Sequence, residues 1–247
     1  MQLAAQLVRD AGALAGRMRD DGLTTEYKTS ISDVVSAADR AAEELVTGRL
    51  RELRPDDGIV GEEGANRPGE RTWYIDPVDG TYNFLSGLPA WCAAIALVDA
   101  DGPVLGAIYQ PATDELWLGG RDTPATLNGR PLEPLVDRPL HEVSICSYIH
   151  PTTLTDDEIR EPWLRAVSGA ATVRMLGSGS IELAAVAAGR LGIWVQHGAL
   201  PWDWLPGSAI VRAAGGTADE VDLHGRSWSL AGNAEAVSDL RSRLTGA

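Results

Sequence analysis

The segment Trp73–Phe84 reads Trp-Tyr-Ile-Asp-Pro-Val-Asp-Gly-Thr-Tyr-Asn-Phe, and it constrains the fold around it more than any other stretch. Trp73-Tyr74-Ile75 is an apolar run of the kind that forms a buried strand. It delivers two carboxylates, Asp76 and Asp79, into a turn shaped by Pro77 and Gly80, and Thr81 opens a short helix. Two acids and a threonine at a strand end suit a divalent cation beside a phosphate, because Mg²⁺ takes oxygen ligands and shares them with substrate phosphate. A helix beginning at Gly80-Thr81 would offer free backbone N–H groups to that phosphate. Pro, Asp and Gly are also ordinary turn residues, so the segment by itself is equally an acidic turn.

The chain has 247 residues, enough for one large domain or two intimate lobes. With 44% hydrophobic and 23% charged residues it can bury a sizeable core. A formal charge of −14 argues against nucleic acid or an anionic membrane as partner. It leaves room for a small anionic substrate where metal ions line the site. Cys92 and Cys146 show no metal-finger spacing and read as free thiols in a reducing cytoplasm. No secretory pattern opens the chain, and no stretch nears the roughly 20 apolar residues of a membrane span. Lys28 is the only lysine beside 20 arginines. One reading is chance; the other is a position that needs a compact ammonium rather than a planar fork.

Leu3, Leu7, Leu14 and Met18 predict a first amphipathic helix that ends at Gly22. Tyr27–Val35 is a polar stretch carrying Lys28 and Asp33. Ser36 is a candidate N-cap with Asp39 three residues on, and Ala42, Leu45, Val46, Leu50 and Leu53 mark one face of a second helix. Ile59-Val60 is a short strand ending in a second acidic pair, Glu62-Glu63. From Ala90 the pattern is β, with Asn128-Gly129 a hairpin signal. Residues 131–141 are a Pro-rich connection and the candidate boundary between lobes of about 1–140 (α+β) and 141–247 (α/β). The second half predicts strands at 143–148, 172–176, 191–195 and 227–230, alternating with helices at 156–167, 181–188, from just after Asp203 to 214, and 234–244. Pro206 is read in the first turn of its helix, where proline is tolerated.

Several phosphate-handling templates fail. Asp76 and Asp79 have two residues between them, not the one of a haloacid-dehalogenase pair. No Cys-x5-Arg loop, Arg-His-Gly nucleophile or dinucleotide loop is present, and the four histidines have no ligand spacing. What remains is carboxylates at element ends: Asp39, Glu62, Glu63, Asp76, Asp79 and Asp203. Clustered, they would repel unless cations neutralise them. Two cations bridged by one carboxylate form a known device for in-line phosphoryl displacement.

These residues carry a resemblance. Lys28, Asp33 and Asp39, then Gly61-Glu62-Glu63, then Trp73–Phe84, then Trp202-Asp203 with Ala213-Ala214-Gly215-Gly216, resemble in order the motifs of the inositol monophosphatase family of Mg²⁺-dependent, lithium-sensitive phosphatases. Within these motifs two positions depart from the pattern: Ala38 precedes Asp39, and Ala213 stands where an acid is usual. The resemblance implies a layered α/β/α/β/α sandwich in a single domain, often dimeric. It implies two to three Mg²⁺ ions, the first on Glu62, Asp76, the Val78 carbonyl and the Thr81 hydroxyl, the second on Asp76, Asp79 and Asp203, and a weaker third near Glu62. It implies that Asp39 and Thr81, with Glu62, serve the attacking water, that Gly80 and Thr81 hold the phosphoryl group, and that Asp79, Gly177, Ser178, Gly179 and position 196 meet the alcohol. Lys28 and Glu63 would support the site. Gln196 replaces the family's frequent glutamate, so a hydroxyl can still be bonded but without charge. The implied substrate is a small polyol phosphate, foremost myo-inositol monophosphate. Alternatives on the same fold are histidinol phosphate, fructose 1,6-bisphosphate and 3′-phosphoadenosine nucleotides, and in another class an inactive metal- or phosphate-binding regulator.

Overall fold

Helical periodicity in the first fifty residues produces two helices that lie side by side on one sheet. The computed structural model describes residues 1–21, 25–27 and 34–246, the pieces 25–27 and 34–36 as backbone. Lys28 and Asp33 lie outside the described residues. In chain order the elements of the first half are α1 (Gln2–Asp20), β1 (Thr25–Tyr27), β2 (Val34–Ser36), α2 (Ala37–Leu53), β3 (Gly58–Gly61), β4 (Asn66–Arg67), β5 (Thr72–Asp79), α3 (Thr81–Leu85), β6 (Cys92–Asp99), β7 (Gly102–Gln110), β8 (Glu115–Gly120), β9 (Thr123–Leu127) and β10 (Arg130–Pro131). The second half adds β11 (Ser144–Tyr148), α4 (Asp157–Val167), β12 (Thr172–Arg174), α5 (Gly179–Ala187), β13 (Ile193–His197), α6 (Pro201–Ala213), β14 (Thr217–Leu223), β15 (Arg226–Gly232) and α7 (Ala234–Thr245).

Five layers follow. Helices α1 and α2 cover one face of an eight-stranded sheet ordered β10-β9-β8-β7-β6-β5-β3-β4, antiparallel except where β3 runs parallel to β5. Helices α5 and α6 fill the middle, between that sheet and a five-stranded one ordered β12-β11-β13-β15-β14. Helices α4 and α7 close the outer face. The fold is therefore the layered α/β/α/β/α sandwich expected. The middle apolar cluster joins Cys92, Ile108 and Trp117 from the first sheet to Ile181, Trp194 and Ile210, so one core spans the Pro-rich connection. Close approach makes this possible: a Cβ at Gly106 of β7 would overlap the Pro206 carbonyl of α6. No described helix is long and apolar enough to cross a membrane.

The structure corrects the sequence reading in four places. Strand β14 had no counterpart; its Thr-Ala-Asp-Glu-Val-Asp-Leu is rich in residues that strands disfavour, yet it pairs along its whole length with β15. The second sheet is mixed, with β11 parallel to β12 and β13, and β15 antiparallel to β13 and β14. The buried stripe of α1 is Ala4, Leu7, Val8, Ala11 and Ala15, small residues that let α1 sit close, whereas Leu3, Leu14 and Met18 are half-buried at its edge. Leu53, predicted on the inner face of α2, is exposed in the last turn. Pro206 lies beyond the first turn of α6, where it removes the N–H that would otherwise bond to the Trp202 carbonyl.

Candidate active site

Strand β5 does not stop at its first aspartate. It continues to Asp79, so the turn begins at Gly80 and not at Pro77. The ladder with β6 pairs Asp76 with Ala94 and then Asp79 with Cys92, which leaves one extra residue on β5. Residues three apart on a regular strand face opposite sides. The extra residue is a β-bulge, and it returns Asp79 to the side of Asp76. Together with Asp203 the two bring one carboxylate oxygen each to within 4.8 Å of one another.

After Asp79 the chain turns sharply. Gly80 has φ of 92°, and a Cβ there would stand 2.9 Å from the Ala90 carbonyl oxygen and 3.1 Å from that of Gly177. Only glycine meets both conditions. The single turn of α3 then places the Thr81 hydroxyl 3.3 Å from Asp39 Oδ1 and 3.1 Å from the Val78 carbonyl oxygen. Asp39, at the start of α2, is fully buried behind Thr81.

The other acids arrive from separate elements. Asp203 is in the first turn of α6, its N–H bonded to the Leu200 carbonyl at 3.1 Å. Glu62 follows β3, and its N–H donates to the Ile75 carbonyl at 3.1 Å, which stitches its loop to β5. That loop is braced by a residue the sequence reading missed. Glu43, buried one turn after Asp39 in α2, accepts the Glu63 N–H at 2.7 Å and the Ala65 N–H at 2.9 Å. A signal was present: Asp39, Glu43 and Thr47 are polar residues on the face of α2 that also carries Ala42 and Val46.

Burial and mutual repulsion shape the charges here. Asp76 is pushed well above the ordinary carboxyl range, by burial first and then by Glu62, Asp79 and Asp203. Asp203 is pushed up to about 7 by burial and by Asp79. Burial also raises Asp79, against the opposing pull of N–H and O–H groups at the start of α5, where Ser180 N–H donates to Asp79 Oδ2 at 2.6 Å. Carboxylates this close cannot all ionise without a counter-charge. An oxygen-only donor set in this state fits a hard divalent cation.

A cleft of about 680 Å³ opens over the cluster. Glu62, Asp76, Val78, Asp79, Gly80, Thr81 and Asp203 line one side; Gly177, Ser178, Gly179 and Gln196 line the other, with Tyr82, Tyr148 and Pro151 at its walls. Asp39 and Glu63 are not on its surface. The Ser178 hydroxyl is turned inward, where it caps α5 by accepting the Ile181 N–H and lies 3.7 Å from Cys92 Sγ. Two further residues, which hold the second side in place, were not singled out from the sequence. Asn83 Nδ2 donates to the Leu176 and Ala90 carbonyls, both at 2.7 Å. Glu182 is buried in α5 beneath the loop. No histidine lines the cleft among the described residues.

The sequence profile described as the inositol monophosphatase family matches residues 1–244. The chain is 34% identical over 193 residues to a Thermotoga maritima protein named fructose-1,6-bisphosphatase/inositol-1-monophosphatase, covering 77% of this chain and 73% of that one. It is 36% identical over 217 residues to the inositol-1-monophosphatase of Rhizobium meliloti, covering 84% and 81%. Among solved structures, the extragenic suppressor protein suhB of Bartonella henselae superposes with a TM-score of 0.89 at 28% identity, covering 99% of this chain and 97% of that one.

Proposed function

The chain belongs to the inositol monophosphatase family and is a phosphatase, and from that premise we propose a Mg²⁺-dependent hydrolase of small polyol phosphates with myo-inositol monophosphate as preferred substrate. The observation that carries the reading is the convergence of Asp76, Asp79 and Asp203 beside Glu62 in a cleft wide enough for a sugar phosphate. Glu62, Asp76 and the Val78 carbonyl would hold one Mg²⁺, with the Thr81 hydroxyl; Asp76, Asp79 and Asp203 would hold a second, and a third would sit near Glu62. Bound there, the ions supply a water of lowered pKa and neutralise the phosphoryl charge.

The chain's own groups do the rest. The Thr81 hydroxyl, held between Asp39 and the Val78 carbonyl, orients the attacking water, and Asp39 receives its proton through Thr81. The backbone N–H groups of Gly80 and Thr81 hold the transferring phosphoryl group. The alcohol leaves toward Gly177–Gly179 and Gln196, whose amide can bond a hydroxyl. Attack is direct, because no cysteine or histidine is placed as a nucleophile among the described residues: Cys92 is buried and its thiol is pushed well up by burial and by Asp79 and Asp76. Lys28 and Glu63 complete the proposed support of the site.

We further read the chain as one domain whose lobes meet near residue 140, acting in the cytoplasm as a homodimer. Light scattering at twice the chain mass checks the last point. The function is tested by phosphate release from myo-inositol 1-phosphate with Mg²⁺, beside histidinol phosphate, fructose 1,6-bisphosphate and a 3′-phosphoadenosine nucleotide. Preferential release from the inositol ester, inhibited by millimolar lithium, is expected. Release from none of them, with metal bound, leaves the regulator reading in place.

A further inference from the structure

Helix α5 is apolar, Gly-Ser-Ile-Glu-Leu-Ala-Ala-Val-Ala, with one charged residue. That residue, Glu182, is 1% exposed. A buried carboxyl is costly unless its hydrogen bonds are made. A leucine in its place would serve a purely structural helix at less cost. The partners of Glu182 show what it does instead. One oxygen accepts the Leu176 N–H at 2.5 Å, and the other accepts Trp194 Nε1–H at 3.0 Å. The same Leu176 residue accepts from Asn83 through its carbonyl at 2.7 Å. Leu176 is thus gripped from both ends, by α5 behind it and by the metal turn in front. The grip extends further. Trp194 stacks on Trp204, centroids 5.6 Å apart and planes 17° apart, and Trp204 adjoins Asp203.

We propose that Glu182 is a positioning residue for the substrate's alcohol: by clamping Leu176 it sets the 176–179 side of the cleft at a fixed distance from the phosphate turn. The proposal rests on the phosphatase reading and names the part of that site that chooses the leaving group. The side-chain hydrogen bonds of Glu182 run to Leu176 and Trp194 and to no acid of the metal cluster. Its effect passes through the backbone of Leu176 and Gly177.

The test compares two esters with different alcohols, myo-inositol 1-phosphate and p-nitrophenyl phosphate, in Glu182→Leu, Glu182→Gln and Asn83→Ala. In Glu182→Leu the KM for the inositol ester should rise about tenfold, the worth of a lost hydrogen bond or two. Its kcat on p-nitrophenyl phosphate and its Mg²⁺ dependence should stay within about twofold. Glu182→Gln, which keeps one acceptor oxygen, should fall between. Asn83→Ala, which opens the clamp from the other side, should shift the ratio of the two esters in the same direction. Hydrogen exchange supplies a reading that needs no turnover: the Leu176 amide should exchange at least about tenfold faster in Glu182→Leu, with Ile75 in β5 unchanged. Equal loss on both esters, or unaltered Leu176 exchange, overturns the proposal. If the unaltered protein cleaves no monoester, the phosphatase reading falls, and exchange at Leu176 alone decides whether the clamp exists.

Discussion

The two sides of the cleft are built by opposite strategies. On one side, Asp76 to Asn83 supply two acids, a glycine turn, a hydroxyl and a clamp within eight consecutive residues. On the other, Tyr148, Gly177–Gly179 and Gln196 come from the ends of elements spread over nearly fifty residues. The first side is anchored on an interior strand of the eight-stranded sheet and, on the proposed function, would fix the chemistry. The second depends on a loop held by a few hydrogen bonds to Glu182 and Asn83. On that reading, local covalent structure would set how the phosphate is handled. Tertiary contacts would set what carries it.

Four changes would break or sharpen this contrast. The largest effect is expected from Asp79→Asn, which removes a charge from the three-oxygen cluster; steady-state assay should show turnover reduced by at least about 10². Near-normal turnover would remove Asp79 from the site. Gly80→Ala acts where the two sides touch. It forces an L-residue into the left-handed region, at about 1–2 kcal/mol, and presses on the Ala90 and Gly177 carbonyls. Turnover of every ester should fall about tenfold; unequal losses among esters would show that the first side also selects the alcohol.

The third concerns pH. In the metal-free protein the raised carboxyls bind more protons folded than unfolded, between about pH 4 and the folded values of about 7 for Asp203 and about 8 for Glu182. Stability must therefore fall as pH rises through that window. Thermal unfolding at pH 5 and pH 8 should show the higher Tm at pH 5, and Mg²⁺ should raise Tm more at pH 8, where no proton competes for the oxygens. A Mg²⁺ effect confined to pH 5 would contradict the assignment. The smallest effect is expected from Gln196→Glu, on the second side alone. It should reorder the esters by a few-fold while the Mg²⁺ dependence is unchanged, since a side-chain amide and carboxylate differ mainly in charge. An unaltered ranking would take Gln196 out of the alcohol pocket.

The same contrast explains what the sequence made legible. Asp76, Asp79 and Thr81 could be read because their spacing is local, and Glu62 and Asp203 because one follows a recognisable strand and the other opens a recognisable helix. The five layers followed from the family resemblance and were met by the packing of α1 and α2, α5 and α6, and α4 and α7. Glu43 and Glu182 stayed hidden because a helix acid looks the same whether it faces water or a buried N–H. Strand β14 stayed hidden because its pairing with β15 overrides an acidic composition. The bulge in β5 was invisible for a related reason: which residue is extra depends on the partner strand, which a linear reading does not supply.

That bulge carries an evolutionary consequence. Deleting Val78 would restore an unbroken ladder between β5 and β6 and add regular backbone pairing to the sheet. It would leave the next aspartate on the face of Asp76, two residues on, but it would remove the Val78 carbonyl that accepts the Thr81 hydroxyl at 3.1 Å. A sheet improved in this way would lose the acceptor that holds Thr81 beside Asp39. Selection for a sturdier scaffold and selection for a working cleft therefore pull in opposite directions at this one residue, and the irregular ladder records which of them prevailed.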